Sequence, residues 1–496
     1  MIYLLYQNHR FQQAIEYTFR VFMSIYGIEW KAAKYNQPEK LQSRKDDILI
    51  SYGEEKPSIS SRNHLHIYES GLFGENYLKP ESLPTPPLAR FDQLPIIYQS
   101  KGQIPQHVAT RVSPDDHTIE TDIDIIASSF FMLARYEEVL LDKRDEQGRF
   151  PARESLAYKE SFLDHPIVNE YAELLWDWLQ SLNPRIKRVP PWPGNKQFAI
   201  CQTHDVDTVR KYHSPPIITI AGLLLKERNP RCALSLAWDY IKVLLHLRED
   251  PFDTFDYMLR TEQEHGIKSS FYFMSARDEA YNPHYSVNET GILNLIKSIE
   301  DRGGEVGLHT GYNSYNNHDR ISLEKDRLDG VVSNQRYGCR QHGLRFRCPD
   351  TWRHQEKAGL LYDASLGFAD NVGFRAGICF PFKPFDVIEN KELDIWELPL
   401  EVMEVSLQNI NYQNLSPGES YEEIIKHIKM VKRFSGVFVI LWHNSSFHPL
   451  GGWEGWAEVY EQLMKYIGEQ DAFTTNGREI IEQWEARAIG AEPWPG

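Results

Sequence analysis

Through the second half of the chain, short apolar runs bounded by turn residues alternate with stretches in which apolar side chains recur every three or four positions. A run of four to eight apolar residues suits a strand buried on both faces, and the longer period suits a helix with one buried face. Strands are expected on this basis at 198–203, 270–275, 305–309, 395–398 and 437–443, with helices at 255–265, 293–301, 323–333, 421–434 and 456–467. Such alternation is the signature of an α/β unit built on a parallel sheet or barrel. The first half reads differently: expected strands at 2–6, 48–52 and 64–68 come early, helical patterns at 124–141 and 167–182 follow, and the whole suits an α+β domain.

Between the halves, residues 184–195 hold four prolines and a glycine, which deny both helix and ladder hydrogen bonds. The expected organisation is a smaller α+β accessory domain over 1–183, a Pro-rich linker over 184–195 and the α/β unit over 196–496. Within the last, residues 212–253 read as a largely helical insertion. Its apolar face (Ala233, Leu236, Trp238, Ile241, Leu244 and Leu245) is expected to pack on the barrel rather than to form a membrane or lid surface.

Composition narrows the function classes. At 496 residues the chain exceeds what one core usually supports, ~250–300 residues, so two domains are expected. A net charge of -16 repels phosphate backbones and anionic membranes, which argues against a nucleic-acid partner. The best candidate for a membrane span, Ile217 to Leu225, stops at Lys226, well short of the ~20 apolar residues that a transmembrane helix needs. The amino terminus, Met-Ile-Tyr-Leu-Leu-Tyr, reads as a first strand rather than a signal peptide. Five cysteines, an odd number without CxxC spacing, suit a reduced cytoplasmic setting and argue against a cysteine zinc cluster.

Candidate chemistry begins at Thr203-His204-Asp205-Val206-Asp207, directly after the apolar run Phe198–Cys201. Side chains alternate along an extended segment, so Asp205 and Asp207 point to one side and His204 to the other. Two carboxylates so close are costly unless a cation neutralises them or one holds a proton. A metal-assisted hydrolase needs that arrangement, with one carboxylate on the metal and the other as base for the attacking water. Two further strands end on an imidazole, Glu305–His309 and Val437–His443. Functional side chains of parallel barrels gather at the carboxyl ends of strands, and all four residues obey that rule.

At these residues the chain resembles the polysaccharide deacetylase family. Thr203–Asp207 looks like the Asp-x-Asp variant of the family's first motif, His309-Thr310 like the start of the second, Cys339-Arg340-Gln341-His342 like the third and Leu441-Trp442-His443 like the last. The segment 265–273 is similar to the family's second strand, and the resemblance runs from about Gln197 to Trp484 in the family's order. Segments 340–374 and 124–138 are similar to a bacterial subgroup that carries an extra N-terminal domain. The resemblance implies a distorted seven- or eight-stranded (β/α) barrel. It also implies a divalent metal ion, zinc by its ligands, held by Asp207 and His309, with Asp205 as base, His443 as acid and Arg340 orienting Asp205.

The chain departs from the pattern at Asn313, where the family has its second metal histidine. An amide oxygen is a weak, neutral zinc ligand. His342 is the expected replacement, its alternative being a hydrogen-bonding or substrate-contacting role; His318 is a weaker candidate. Arg345 and Trp396 are expected at the substrate, and Trp352, Phe368 and Phe374 either join an aromatic wall there or lie in the core. The function implied is metal-dependent removal of an N-acyl group, acetyl above all, from an amino sugar. The alternatives are a catalytically impaired barrel that only binds carbohydrate, and a deformylase or other linear-amide hydrolase.

Overall fold

The computed structural model describes residues 1–488 except 8–9, 35–45, 59–62, 102–105, 114–116, 227, 278–280 and 282. Two sheets organise it. The first has six strands in the spatial order Trp30–Lys34, Ile2–Tyr6, Ile48–Gly53, Asn63–Tyr68, His117–Thr121 and Val108–Val112, parallel except for the last pair. Helices Gln12–Tyr26 and Ile167–Leu182 cover it, each with nine or more buried residues. The first of these was not anticipated from the sequence.

The second sheet is wholly parallel and has nine strands. Its path runs Trp396–Glu397, Tyr362–Asp363, Gly338–Gln341, Glu305–Thr310, Ser269–Met274, Phe198–Val206, Val437–Leu441 and Val402–Met403, with Ala472–Thr474 also on Phe198–Val206. The two edge strands of that path are consecutive in sequence, joined by residues 398–401. A sheet whose edges are tethered by so short a link has to curl, and the eight strands of the path form a distorted barrel, in keeping with the seven or eight strands that the resemblance implies. All nine residues of Phe198–Val206 and all five of Val437–Leu441 are buried, which is why Phe198–Cys201 and Val437–Leu441 read as continuous apolar runs rather than alternating ones.

Local chemistry moved some expected boundaries. The helix expected over 124–141 breaks into Ile125–Leu133 and Tyr136–Leu140 at Arg135, whose φ is +48°. There the guanidinium turns back to Glu137 and Glu138, and the ion pair gained inside the core outweighs the left-handed backbone. The helix expected over 323–333 spans His318–Asp329 instead, because the Asn317 side chain accepts from Arg320 N at 3.1 Å and caps it early.

Residues 184–195 do not hang free. Trp192 is buried against Phe380 and Trp484, and its indole donates to the Ser435 carbonyl at 2.7 Å. The insertion also departs from expectation. It forms two helices, Ile217–Leu225 and Pro230–Leu244, and only Ala233 and Leu236 of its expected inner face are buried; Trp238, Ile241, Leu244 and Leu245 are exposed. Periodicity identified an apolar stripe, but the two helices pack mainly on each other, which leaves most of that stripe without a cover.

Candidate active site

Register brings the motifs together. Thr203 stands opposite Leu441, Asp205 opposite Tyr272, Met274 opposite His309, and His309 opposite Arg340. The carboxylates and histidines singled out in the sequence therefore meet at the carboxyl end of the parallel sheet. Gly307 helps to build this end, since a Cβ there would lie 2.7 Å from the Tyr272 ring, and that ring carries the Arg340 guanidinium 4.9 Å above its centre.

Asp205 and Asp207 face the same way, as alternation requires. The Nε2 of His309 lies 3.0 Å from Asp207 Oδ1 and 3.8 Å from Asp205 Oδ2. Its Nδ1–H donates to the Arg340 carbonyl at 2.9 Å, which fixes the tautomer and aims Nε2 at the carboxylates. His342 Nε2 is 3.8 Å from Asp207 Oδ1, and its Nδ1 is buried with no hydrogen-bond partner. The ligand atoms of Asp207, His309 and His342 all lie within 4.8 Å of one another. Two imidazoles and one carboxylate are a donor set that suits a zinc-type ion.

Asn313 is engaged by Arg345. Its amide oxygen accepts from Arg345 Nη1 at 3.0 Å. Arg345 itself is not aimed at the cluster: it donates to the Tyr312 and Gln147 carbonyls and stacks on Tyr312 and Tyr315, so it braces the loop after His309 against the first half of the chain.

The flanking groups have their own anchors. Arg340, fully buried, donates to Thr203 Oγ1 at 3.0 Å, to the Ala364 carbonyl at 2.8 Å and to Asp205 Oδ1 at a longer 3.5 Å. His443 Nε2 approaches Asp207 Oδ2 at 3.8 Å, while its Nδ1 is held 2.7 Å from Glu404 Oε1. The same Glu404 oxygen accepts from the His443 backbone N–H and from Ser446 Oγ.

Electrostatics separate the three histidines. Burial works against a charge on His443, yet Glu404 and then the two aspartates push its pKa up to about 10. Burial likewise opposes protonation of His309, but Asp205 and Asp207 raise its pKa. For His342 burial wins and the pKa falls, which leaves a neutral ring. Burial disfavours the charged form of Asp207 too, but the His309 hydrogen bond and the nearby His342 and His443 hold it well below the usual carboxylate range.

Other sequence candidates lie elsewhere. Trp396 is not brought to the cluster: it lines a groove between the helix Gln12–Tyr26 and the barrel, and its indole donates to Glu485 at 3.0 Å. Its strand pairs at the level of Tyr362, short of the carboxyl end, so its side chain meets the last helix instead. Trp352, Phe368 and Phe374 are core residues. His318, the first residue of the helix that Asn317 caps, bonds to the Asp319 and Ser322 side chains on its own helix. His204, on the opposite face, bonds to the Trp442 carbonyl and to Glu262.

The sequence did not single out Glu404, which holds His443, nor the contact of Thr203 with Arg340. The available signal for Glu404 was an acid placed one residue past the short apolar strand Val402–Met403, but only the pairing of that strand with Val437–Leu441 puts it beside His443.

The model of a family of unknown function (DUF7033) matches residues 3–184. No curated protein matches the chain. Among solved structures, one from Mycobacterium smegmatis described as a polysaccharide deacetylase is similar over 62% of this chain and 95% of its own, with 17% identity and a TM-score of 0.40. The Puue allantoinase is similar over 61% and 95%, with 13% identity and a TM-score of 0.41. A CE4 family pseudoenzyme from Bacillus anthracis is similar over 62% and 72%, with 11% identity and a TM-score of 0.31.

Proposed function

We propose that the chain is a metal-dependent hydrolase that removes an N-acyl group, acetyl above all, from an amino sugar. The observation that carries the reading is the convergence of Asp207, His309 and His342 within 4.8 Å, beside a carboxylate and an imidazole that each have a buried partner of their own. A divalent ion such as zinc, held by those three residues, would polarise the amide carbonyl and acidify the attacking water.

Asp205 takes the proton of that water. Arg340 keeps its carboxylate oriented from one side, and Thr203 keeps Arg340 in place. His443, charged by its contact with Glu404, gives its proton to the amine nitrogen as the carbon–nitrogen bond breaks, so the products are a carboxylic acid and a free amine. Asn313 and Arg345 act on the loop that follows His309 rather than as ligands. Residues 1–183 contribute no side chain to this set and form an accessory domain.

Asn313, standing where the family has a second histidine, favours a second reading, a barrel that binds carbohydrate without cleaving it. The separating experiment is a metal-supplemented hydrolysis screen over acetylated and formylated amino sugars, with metal content measured in parallel. About one ion per chain together with amine release supports the hydrolase. A chain that takes up no divalent metal under any supplementation rejects it in favour of the binding reading.

A further inference from the structure

The helix Ile217–Leu225 (Ile-Ile-Thr-Ile-Ala-Gly-Leu-Leu-Leu) has no buried residue. It packs on Pro230–Leu244, whose outer face is also apolar: Ile218 is 89% exposed, Leu225 79% and Trp238 57%. A continuous exposed surface of this kind marks a contact with something apolar. Charge identifies the occupant. Across the two helices and the turn between them, residues 217–244, the sequence holds four Lys and Arg against two acidic residues, in a chain whose net charge is -16. Lys226, Arg228 and Arg231 are exposed at the turn that joins the two helices. An apolar face carrying Trp and Leu with a basic border is the pattern of a helix that lies in a lipid headgroup region.

We infer that this hairpin docks the protein on an anionic lipid bilayer. It lies in the interface rather than crossing it, since no helix among the described residues is long and apolar enough to span. The acidity of the remaining chain does not prevent this, because charges more than ~8 Å away are screened at physiological ionic strength. A second copy of the chain is a poorer occupant: a two-fold contact would set one basic hairpin against another.

The base of the hairpin is firm. Asp250 accepts from the backbone N–H groups of Lys211 and Tyr212 at 2.8 and 3.0 Å, and the Tyr212 hydroxyl donates to Asp239 at 2.7 Å. The hairpin leaves the chain soon after Asp207, so a docked bilayer lies at the barrel end that carries the carboxylate–histidine cluster. The inference concerns the surface alone and does not rest on the hydrolase reading.

The test is co-sedimentation of the full chain with vesicles of phosphatidylcholine, alone or mixed with phosphatidylglycerol. The chain is expected to sediment with the anionic vesicles and to be released by high salt. Lys226→Gln/Arg228→Gln/Arg231→Gln should lower partitioning about fivefold per charge, roughly a hundredfold in all. Ile218→Ser/Trp238→Ser should abolish binding while thermal unfolding stays unchanged. If the serine variant does not fold, the salt dependence of the unaltered chain and the charge variant still decide the matter. A chain that stays in the supernatant with anionic vesicles overturns the inference, as does a dimer in light scattering that Trp238→Ser dissolves.

Discussion

Two clusters of buried charge lie in this molecule and they are finished differently. Where the two sheets meet, Glu138 accepts from Arg135 Nε at 2.9 Å and from Arg375 Nε and Nη2 at 2.9 and 2.6 Å; Arg135 also reaches Glu137, which in turn accepts from Leu156 N. No buried side-chain atom of these four residues lacks a partner. At the carboxyl end of the barrel, by contrast, Arg340 Nη2, His342 Nδ1 and Glu404 Oε2 are buried without one. Leaving buried polar groups unpaired costs ~1–3 kcal/mol each, so the two clusters differ in how much of that cost their own side chains remove.

The sharpest way to break this contrast is Asp207→Ala. Metal content measured by mass spectrometry should fall to background and amide hydrolysis with it; retention of the metal would remove Asp207 from the ligand set. Asp205→Asn comes next. It should keep the metal and lose ~10²–10⁴-fold in turnover, as expected for a proton acceptor. If Asp205→Asn empties the site while Asp207→Ala stays loaded, the two roles are exchanged.

On the closed side, Glu138→Gln strands two buried guanidinium groups and should cost ~3–5 kcal/mol in denaturant unfolding, with the metal stoichiometry of the folded fraction unchanged. The pH dependence of that difference tests its origin. Burial opposes the Glu138 charge, but Arg375 and Arg135 hold its pKa down to about 2 in the folded chain. A depressed carboxylate contributes fully above its unfolded value, ~4.3, and loses its contribution as pH falls toward 2. The gap between the original chain and Glu138→Gln should therefore be constant from neutral pH to about 5 and shrink below it. A gap that persists to pH 2 would assign the effect to packing rather than charge. The smallest effect belongs to Asn313→Ala, which removes one hydrogen bond to Arg345 and should cost ~0.5–1.5 kcal/mol of stability with metal affinity intact. A marked loss of metal would instead make Asn313 a ligand.

Much of the barrel and its polar end is legible in the amino-acid sequence alone. Continuous apolar runs ending in Asp205, Asp207, His309 and His443 announce parallel strands with polar carboxyl ends, and alternation puts the two aspartates on one side with His204 on the other. These are local properties, set by the period of the backbone, and they survive whatever packs around them.

What the sequence left open depended on groups distant along the chain. Glu404 meets His443 only because Val402–Met403 pairs with Val437–Leu441, and His342 reaches Asp207 only through the register that sets His309 opposite Arg340. Trp396 and Arg345 had side chains suited to a sugar, but a short strand end and a loop brace turned them elsewhere. The apolar stripe of the insertion was plain in the sequence and its exposure was not. Periodicity reports which face of a helix is apolar; only the tertiary structure decides whether anything covers it.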